Sequence, residues 1–392
     1  MAFYVSLYLI TAIGSFFVFN RSKSTEINTV QGKHEYNMHS LCYVNYFVVC
    51  GLLVFLSCAR YGIGTDYFLY KKGYEGTAGW WEIVDMRGVF GWLIKVFTSL
   101  KLPYQFFIMC FSIVSLGIMF TIVLYRSWNP WLSMTAFLGL SYYSFSLSGF
   151  RQFCAMMLLV LAVYINTDNK NIKHLKLSTV LILIVAAAIH ETSLLASLLI
   201  IIIFYWKPQK KTVYRFSMVG VILFVITRMS LTYINRLISL IVSYSGYYSN
   251  YLNYTGDQYY RLYSQGISLY ATILLVPSMY LVYKIIEAYN SQDFQMTDFS
   301  YTMLKIYFFY EMFLCFNMSS EMIDRFAFYF AISAVFVYPL FIKYIHWKRG
   351  KKTALQSLIF LIAAMLYMFT RYLGTNAYGI VPYSWIFGGV LK

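Results

Sequence analysis

The run YQFFIMCFSIVSLGIMFTIVLY, from Tyr104 to Tyr125, decides what kind of protein this is. It carries no charged side chain. At about 1.5 Å of rise per residue it is long enough to cross the roughly 30 Å hydrocarbon core of a bilayer as one helix. Similar runs recur along the 392-residue chain. Before it and just after it they lie near Phe3–Phe19, Leu41–Ala59, Trp131–Ser148, Phe150–Ile165, Leu175–Ile189 and Thr192–Tyr205. Further along they lie near Phe216–Tyr233, Gly266–Tyr283, Tyr301–Phe316, Phe326–Ile342 and Ala354–Tyr372. The sequence thus predicts an all-α, polytopic transmembrane helical bundle of about twelve spans, with outward-facing interfacial loops. The stretch on either side of His190 also fits two half-length helices meeting inside the membrane.

Composition agrees with lipid as the main solvent. Apolar residues make up 60% of the chain and charged ones only 12%, where soluble domains carry roughly 25% charged residues. Tyrosine, with 39 copies, outnumbers phenylalanine, with 34; its apolar ring and polar hydroxyl suit membrane interfaces and sugar-lined clefts. The net charge of +16 sits in short clusters between spans, such as Lys207, Lys210 and Lys211, or Lys348 through Lys352. Cytoplasmic loops look like this, so nucleic acid is not an expected partner. The cysteines (Cys42, Cys50, Cys58, Cys110, Cys154, Cys315) all fall in apolar runs without metal-type spacing. Neither a disulfide framework, a metal nor a cofactor is indicated. The first apolar run lacks a basic leader and reads as a retained span. Residues 1–392 read as a single integral membrane domain.

Orientation follows the Lys/Arg bias of short loops. Alternate loops then gather Arg21, Lys23 and Lys33; Arg126; Lys170, Lys173 and Lys176; Lys207, Lys210, Lys211 and Arg215; and Lys343 through Lys352 on the inner side. Both termini face outward. On the outer side lie Arg60, Asp66, Arg151, His190, Glu191, Asp257, Arg261, Glu321, Asp324 and Arg325. The other histidines (His34, His39, His174, His346) fall in inner loops. Two outer segments are long enough to form a roof. Residues 60–103 include Trp80–Trp81 and an amphipathic stretch, Val89–Leu100, suited to the interface. Residues 234–265 carry Tyr244, Tyr247, Tyr248, Tyr251, Tyr254, Tyr259, Tyr260 and Tyr263, either a sugar-stacking surface or an interfacial belt.

Four short motifs carry the reactive groups. Arg60-Tyr61-Gly62-Ile63-Gly64-Thr65-Asp66-Tyr67 follows the second span, where two glycines permit a tight path that brings a cation and a carboxylate together. A plain interfacial turn with an ion pair is the simpler alternative. Ser148-Gly149-Phe150-Arg151-Gln152 opens an outward-facing helix start, where Arg151 and Gln152 suit an anion such as a diphosphate, or where Arg151 only snorkels. Ala188-Ile189-His190-Glu191-Thr192-Ser193 holds an imidazole able to accept a sugar hydroxyl's proton, or to bond a neighbouring helix. Glu321-Met322-Ile323-Asp324-Arg325-Phe326 offers a further guanidinium for phosphate, or an ordinary pair with Asp324. Arginines, a histidine and a carboxylate on one side suit glycosyl transfer from a lipid diphosphate. A non-enzymatic transporter or flippase of lipid-linked sugars is the competing class; it calls for repeated halves and midplane polar groups, which the sequence does not show.

At these motifs the sequence resembles the EpsG/Wzy family of bacterial O-antigen and capsular polysaccharide polymerases. The matching pieces are Arg60 with Gly64-Thr65-Asp66-Tyr67, Gly149-Phe150-Arg151-Gln152, His190 with Ser193, Asp324-Arg325-Phe326, and Asn376 with Val381-Pro382-Tyr383. They run in the family's order from residue 60 to 383. The chain departs from the pattern at Met86-Arg87-Gly88-Val89-Phe90, where an acidic residue is expected before the Gly-aromatic step. The resemblance implies a multi-pass enzyme of the bacterial cytoplasmic membrane that joins undecaprenyl-diphosphate-linked oligosaccharide units on the outer face. It implies a metal-independent glycosyltransferase, inverting or retaining according to linkage, or a related ligase. It further implies Arg60, Arg151 and Arg325 as diphosphate ligands, with Gln152 and Tyr383 in the substrate site. His190 would be the base or acceptor-orienting group, and Asp66 would orient the acceptor or an arginine. Membrane lipid, a chain-length regulator and a flippase are the implied partners.

Overall fold

The computed structural model describes residues 1–21, 40–77, 88–168, 175–229, 257–316, 321–376, 378–388 and 390–391. The helices are α1 (Ala2–Arg21), α2 (Ser40–Ala59), α3 (Tyr67–Tyr74), α4 (Gly88–Ser99), α5 (Tyr104–Arg126), α6 (Pro130–Gly139), α7 (Tyr142–Ser148) and α8 (Phe150–Thr167). They continue with α9 (Leu177–Ile189), α10 (Ser193–Tyr205), α11 (Lys210–Met229), α12 (Asp257–Asn290), α13 (Asp298–Phe316), α14 (Glu321–Ala331) and α15 (Ala334–Thr375). Two short antiparallel strands, β1 (Tyr383–Ser384) and β2 (Val390–Leu391), complete the described chain.

By length and composition four of these segments can cross a bilayer: Ala2–Asn20, Tyr104–Arg126, Phe150–Thr167 and Ala334–Thr375. Shorter apolar helices account for other expected spans, so among the described residues there are fewer full-length crossings than the expected count of about twelve. The differences have local causes. Trp131–Ser148, expected as one span, is two helices, because Ser141 takes a left-handed backbone (φ 61°) between α6 and α7. Phe326–Ile342 is likewise divided by a turn in which Ser333 N–H reaches Phe330 O at 3.1 Å. Gly350 (φ 83°) separates two helical halves of α15. On either side of His190, α9 and α10 have 13 residues each, about 20 Å of helix against a core of roughly 30 Å. The 60–103 loop contains α3 and α4, and α12 begins at Asp257, so the end of the 234–265 segment is helical. Trp80–Trp81, Met86–Arg87, Tyr244 through Tyr254, His34, His39 and His174 lie outside the described residues; of Tyr259, Tyr260 and Tyr263 only the helical backbone is described.

Backbone contacts divide the chain into two compact units. The first comprises Met1–Leu198, Asp298–Ser300 and Ala334–Lys392; the second comprises Leu199–Thr297 and Tyr301–Ser333. In the first, α6 packs between α1 and α15, α5 joins α2 to α8, and α8 packs on α9. Lipid gives helices little reason to associate by apolar burial alone, so close backbone approach and hydroxyl bonds hold them. Tyr8 Oη donates to Ile362 O (2.6 Å), Tyr46 Oη to Phe120 O (2.9 Å) and Ser133 Oγ to Val335 O (2.7 Å). Asn129 caps α6 by accepting from Leu132 N–H (3.1 Å) while its amide donates to Ser15 O (3.0 Å). In the second unit Lys305 Nζ caps the end of α10, donating to Ile203 O (2.6 Å) and Trp206 O (3.0 Å).

Gly14 is where α1 lies hardest on α6: a Cβ there would sit 2.4 Å from the Trp131 ring. Gly51 faces open space. Gly14→Ala should therefore destabilise the purified protein by about 1–3 kcal/mol through overpacking, whereas Gly51→Ala should leave it nearly unchanged. Thermal unfolding in detergent compares the two; equal melting temperatures would contradict this account of the α1–α6 contact.

Candidate active site

The first unit has two chemically distinct ends. At one, Arg126 pairs with Asp168, Lys176 donates to the end of α8 at Ile165 O, and Lys351 Nζ donates to Asn20 O (2.7 Å). All three are among the basic residues assigned to the inner side. At the other end the motif residues gather: the end of α2, the α7–α8 break, the end of α9 and the C-terminal segment. Tyr4 Oη donates to Ile380 O (3.2 Å), which brings the start of α1 there as well.

The 60–66 loop is fastened between two backbones. On one side Arg60 bridges Trp385 in antiparallel fashion, Tyr61 N–H donates to Ser384 O (3.0 Å), Ile386 N–H to Ala59 O (3.0 Å) and Gly64 N–H to Gly379 O (3.1 Å). Asn376 shapes that segment, its Oδ1 accepting from Ile380 and Val381 N–H (both 2.9 Å) and its amide donating to Val381 O (2.7 Å). On the other side the loop lies against the α7–α8 break. Gly64 has φ +97°, and a Cβ there would stand 2.3 Å from Leu147 O and 2.8 Å from Ser148 Cα. Only glycine meets both demands.

Arg60 is 1% exposed. Its Nη1 donates to Ser57 O (2.8 Å), Ser57 Oγ (2.8 Å) and Ser112 Oγ (3.1 Å), and its guanidinium lies over the Phe150 ring (5.7 Å). Its Nε has no hydrogen-bond partner among the described residues. Gln105 Nε2 donates to Arg60 O (3.1 Å) and to Cys58 O, tying α5 to the loop. Burial pulls the guanidinium below its ordinary pKa while the phenols of Tyr104, Tyr143 and Tyr67 oppose the shift; arginine starts so high that it stays charged. Burial pushes the neighbouring Tyr67 phenol up to about 12, against the pull of Arg60, so it is neutral.

Arg151 is also buried. From the first turn of α8 its Nε donates to Ile189 O (2.7 Å), and its guanidinium covers the Phe90 ring (4.9 Å). Phe90 and Phe150 are 6.1 Å apart in one aromatic cluster with Tyr67, Tyr70 and Phe107, so both arginines rest on the same bed. Ile189 precedes His190, whose Nδ1 is 2.8 Å from Thr192 Oγ1. Gln152 is buried beside Arg151. Asp66 is half-buried and its Oδ1 accepts from Thr65 Oγ1 (3.1 Å). Tyr383 is buried, its hydroxyl donating to Leu56 O and its ring packed on Phe3 and Tyr4. Arg60, Asp66, Arg151, Gln152, His190 and Tyr383 thus share one end of the first unit. Arg325 stands exposed on α14 in the second unit, which also buries Glu311, a carboxyl the sequence reading passed over. That reading also missed Ser57, Gln105, Ser112 and Phe90, which hold the arginines.

The EpsG family model matches residues 43–385, a stretch that contains every one of these motifs. The chain belongs to the EpsG family. Members of this family are Wzy-type polymerases, so the protein is a multi-pass membrane protein of the polysaccharide polymerase class. Comparison with curated proteins and with solved structures gives no match. Among the described residues no cluster of three or more His, Cys, Asp or Glu side chains gathers as a metal site. For this EpsG protein the arginine cradle generates a direct expectation. Arg60→Lys keeps the charge but loses the planar fork, leaving buried hydroxyls and carbonyl unpaired, and should cost about 2–4 kcal/mol. Ser112→Ala, losing one bond from the guanidinium and one from Ser57 Oγ, should cost about 1.5–3 kcal/mol. Chemical or thermal unfolding of the solubilised protein measures both, and a wild-type curve for Arg60→Lys removes the cradle from the account.

Proposed function

We propose that this chain extends a glycan on the outer face of the bacterial cytoplasmic membrane, taking polyprenyl-diphosphate-linked oligosaccharide as both donor and acceptor. The growing glycan leaves its lipid diphosphate, most simply undecaprenyl diphosphate, and passes to a sugar hydroxyl of a new lipid-linked unit. The bond from the anomeric carbon to the diphosphate oxygen breaks, and a new glycosidic bond forms. The lipid diphosphate departs with the bonding electron pair, and the hydroxyl proton goes to a base. The observation that carries this reading is the meeting of Arg60, Arg151, Asp66 and His190 at the end of the first unit opposite its basic inner-side residues.

Each group has a task in this reaction. Arg151 binds the diphosphate, since the guanidinium fork matches phosphate oxygens and keeps its charge. Arg60, sealed beneath the loop, adds positive field and holds the loop in place. Fixed positive charge favours the transition state, because negative charge grows on the leaving diphosphate as the anomeric bond lengthens. His190 is the proton acceptor, its Nδ1 contact with Thr192 fixing which ring nitrogen faces the substrate. Asp66 orients the acceptor hydroxyl. Gln152 and Tyr383 shape the site from behind. Partners in the same membrane are a flippase that supplies the lipid-linked unit and a regulator of chain length.

Purified protein in lipid vesicles, given a polyprenyl-diphosphate-linked repeat unit, should produce a ladder of glycans without added nucleotide sugar. Arg151→Ala should reduce the rate about a hundredfold or more, the scale of losing one charged stabiliser of the transition state. In cells the same variant should leave single repeat units at the surface without long chains. Normal chain length in Arg151→Ala cells, with wild-type protein levels, overturns the role given to Arg151.

A further inference from the structure

Asp66 stands at the N-cap of α3, where an aspartate ordinarily accepts from the helix's free N–H groups. Here its carboxylate makes no capping bond. It is turned to Thr65, whose hydroxyl donates to Asp66 Oδ1 at 3.1 Å. Thr65 Oγ1 also lies 2.6 Å from Ser148 Oγ, the last residue of α7, and Thr65 N–H donates to that same Ser148 Oγ at 3.3 Å.

The directions of these bonds can be worked out. A carboxylate only accepts, so the single proton of the Thr65 hydroxyl goes to Asp66. In the 2.6 Å contact Ser148 is therefore the donor. Ser148 Oγ in turn accepts the Thr65 amide, which leaves every polar atom of the pair used. The result is a one-way chain, Ser148 hydroxyl to Thr65 hydroxyl to Asp66 carboxylate. It begins at the break that launches α8 and ends on the carboxylate that opens α3. Gly64 allows it, since any Cβ there would force the loop off Leu147 and Ser148.

We infer that Thr65 and Ser148 are positioning residues that aim the Asp66 carboxylate at the acceptor sugar hydroxyl, and that they couple its aim to the helix start carrying Arg151. The inference rests on the polymerase reading of this end of the first unit. A carboxylate held by a donor chain has one oxygen committed and its plane fixed, so the hydroxyl it receives is placed in advance of reaction. Without the chain the carboxylate falls back on the capping role its position offers.

The test uses the full-length protein in lipid vesicles with a polyprenyl-diphosphate-linked oligosaccharide, following kcat and KM. Thr65→Val, which keeps the shape and removes the hydroxyl, should lower kcat on the order of tenfold, the scale of one bond to a charged group, and Ser148→Ala, which removes the neutral bond that orients Thr65, by about fivefold. KM for the lipid-linked unit should stay within about twofold, because the loss falls on alignment in the transition state and not on binding. Thr65→Ser restores the hydroxyl and should restore kcat. Thermal unfolding identifies any variant that has lost its fold, in which case Thr65→Ser against Ser148→Ala decides. A wild-type kcat in Ser148→Ala, or an equal loss in Thr65→Ser and Thr65→Val, overturns the inference. A wild-type protein that makes no ladder instead sinks the polymerase reading on which it stands.

Discussion

The motif-bearing end of the first unit depends on a guanidinium buried without a carboxylate among the described residues. Among the described residues no Asp or Glu pairs with Arg60; two serines, one carbonyl and the face of Phe150 receive it. A buried charge is expensive unless its donors are met. Meeting these donors fixes the end of α2 against α5 through Ser112 and fixes the loop that follows. That loop then has one path available: between the C-terminal segment, which it joins by main-chain bonds, and the α7–α8 break, which Gly64 lets it touch. The aromatic bed beneath does two things at once, since Phe90 and Phe150 each carry an arginine and also close the packing of α4 and α8.

How much of this was legible in the sequence depends on the range of the interaction. Apolar length is a local property, so Tyr104–Arg126 and Phe150–Thr167 are found where the hydropathy puts them. The breaks are harder to see. Leu140-Ser141 reads like any apolar–hydroxyl step inside a span, and the left-handed turn there is imposed by packing around α6. Gly149 did mark the start of α8, and the half-length reading beside His190 follows from counting residues. The shared location of Arg60, Asp66, Arg151 and His190 was legible because they are polar groups at the edges of apolar runs.

Their partners were not legible. Ser57, Ser112 and Gln105 are unremarkable letters in apolar helices, and which hydroxyl meets a guanidinium is decided by how two helices rotate against each other. Tyr383 shows the same limit more sharply. Its order in the chain suggested a substrate contact, yet its hydroxyl reaches Leu56 O across a separation of 327 residues. No local pattern announces that a C-terminal segment returns to the end of the second helix. The aromatic stretch Val89–Leu100 suggested an interfacial helix, and in α4 one face does remain open at Trp92 while Phe90 is fully enclosed.

The chemistry proposed for this end follows from the same constraint. Among the described residues no carboxylate pairs with Arg60, so this positive charge, fixed during folding, favours an anion at the site. A lipid diphosphate becomes more negative as it leaves, and charge already held in position needs no rearrangement to stabilise it. Hydroxyl chains are the natural companion of such a site. A carboxylate brought close to two guanidiniums tends to pair with them and cancel the field that the leaving group needs. The carboxylate of Asp66 instead accepts from the Thr65 hydroxyl, a bond that sets its direction. On this view Ser57 and Ser112 receive the guanidinium of Arg60 while Thr65 and Ser148 orient the carboxylate of Asp66, so that hydroxyls meet both charges.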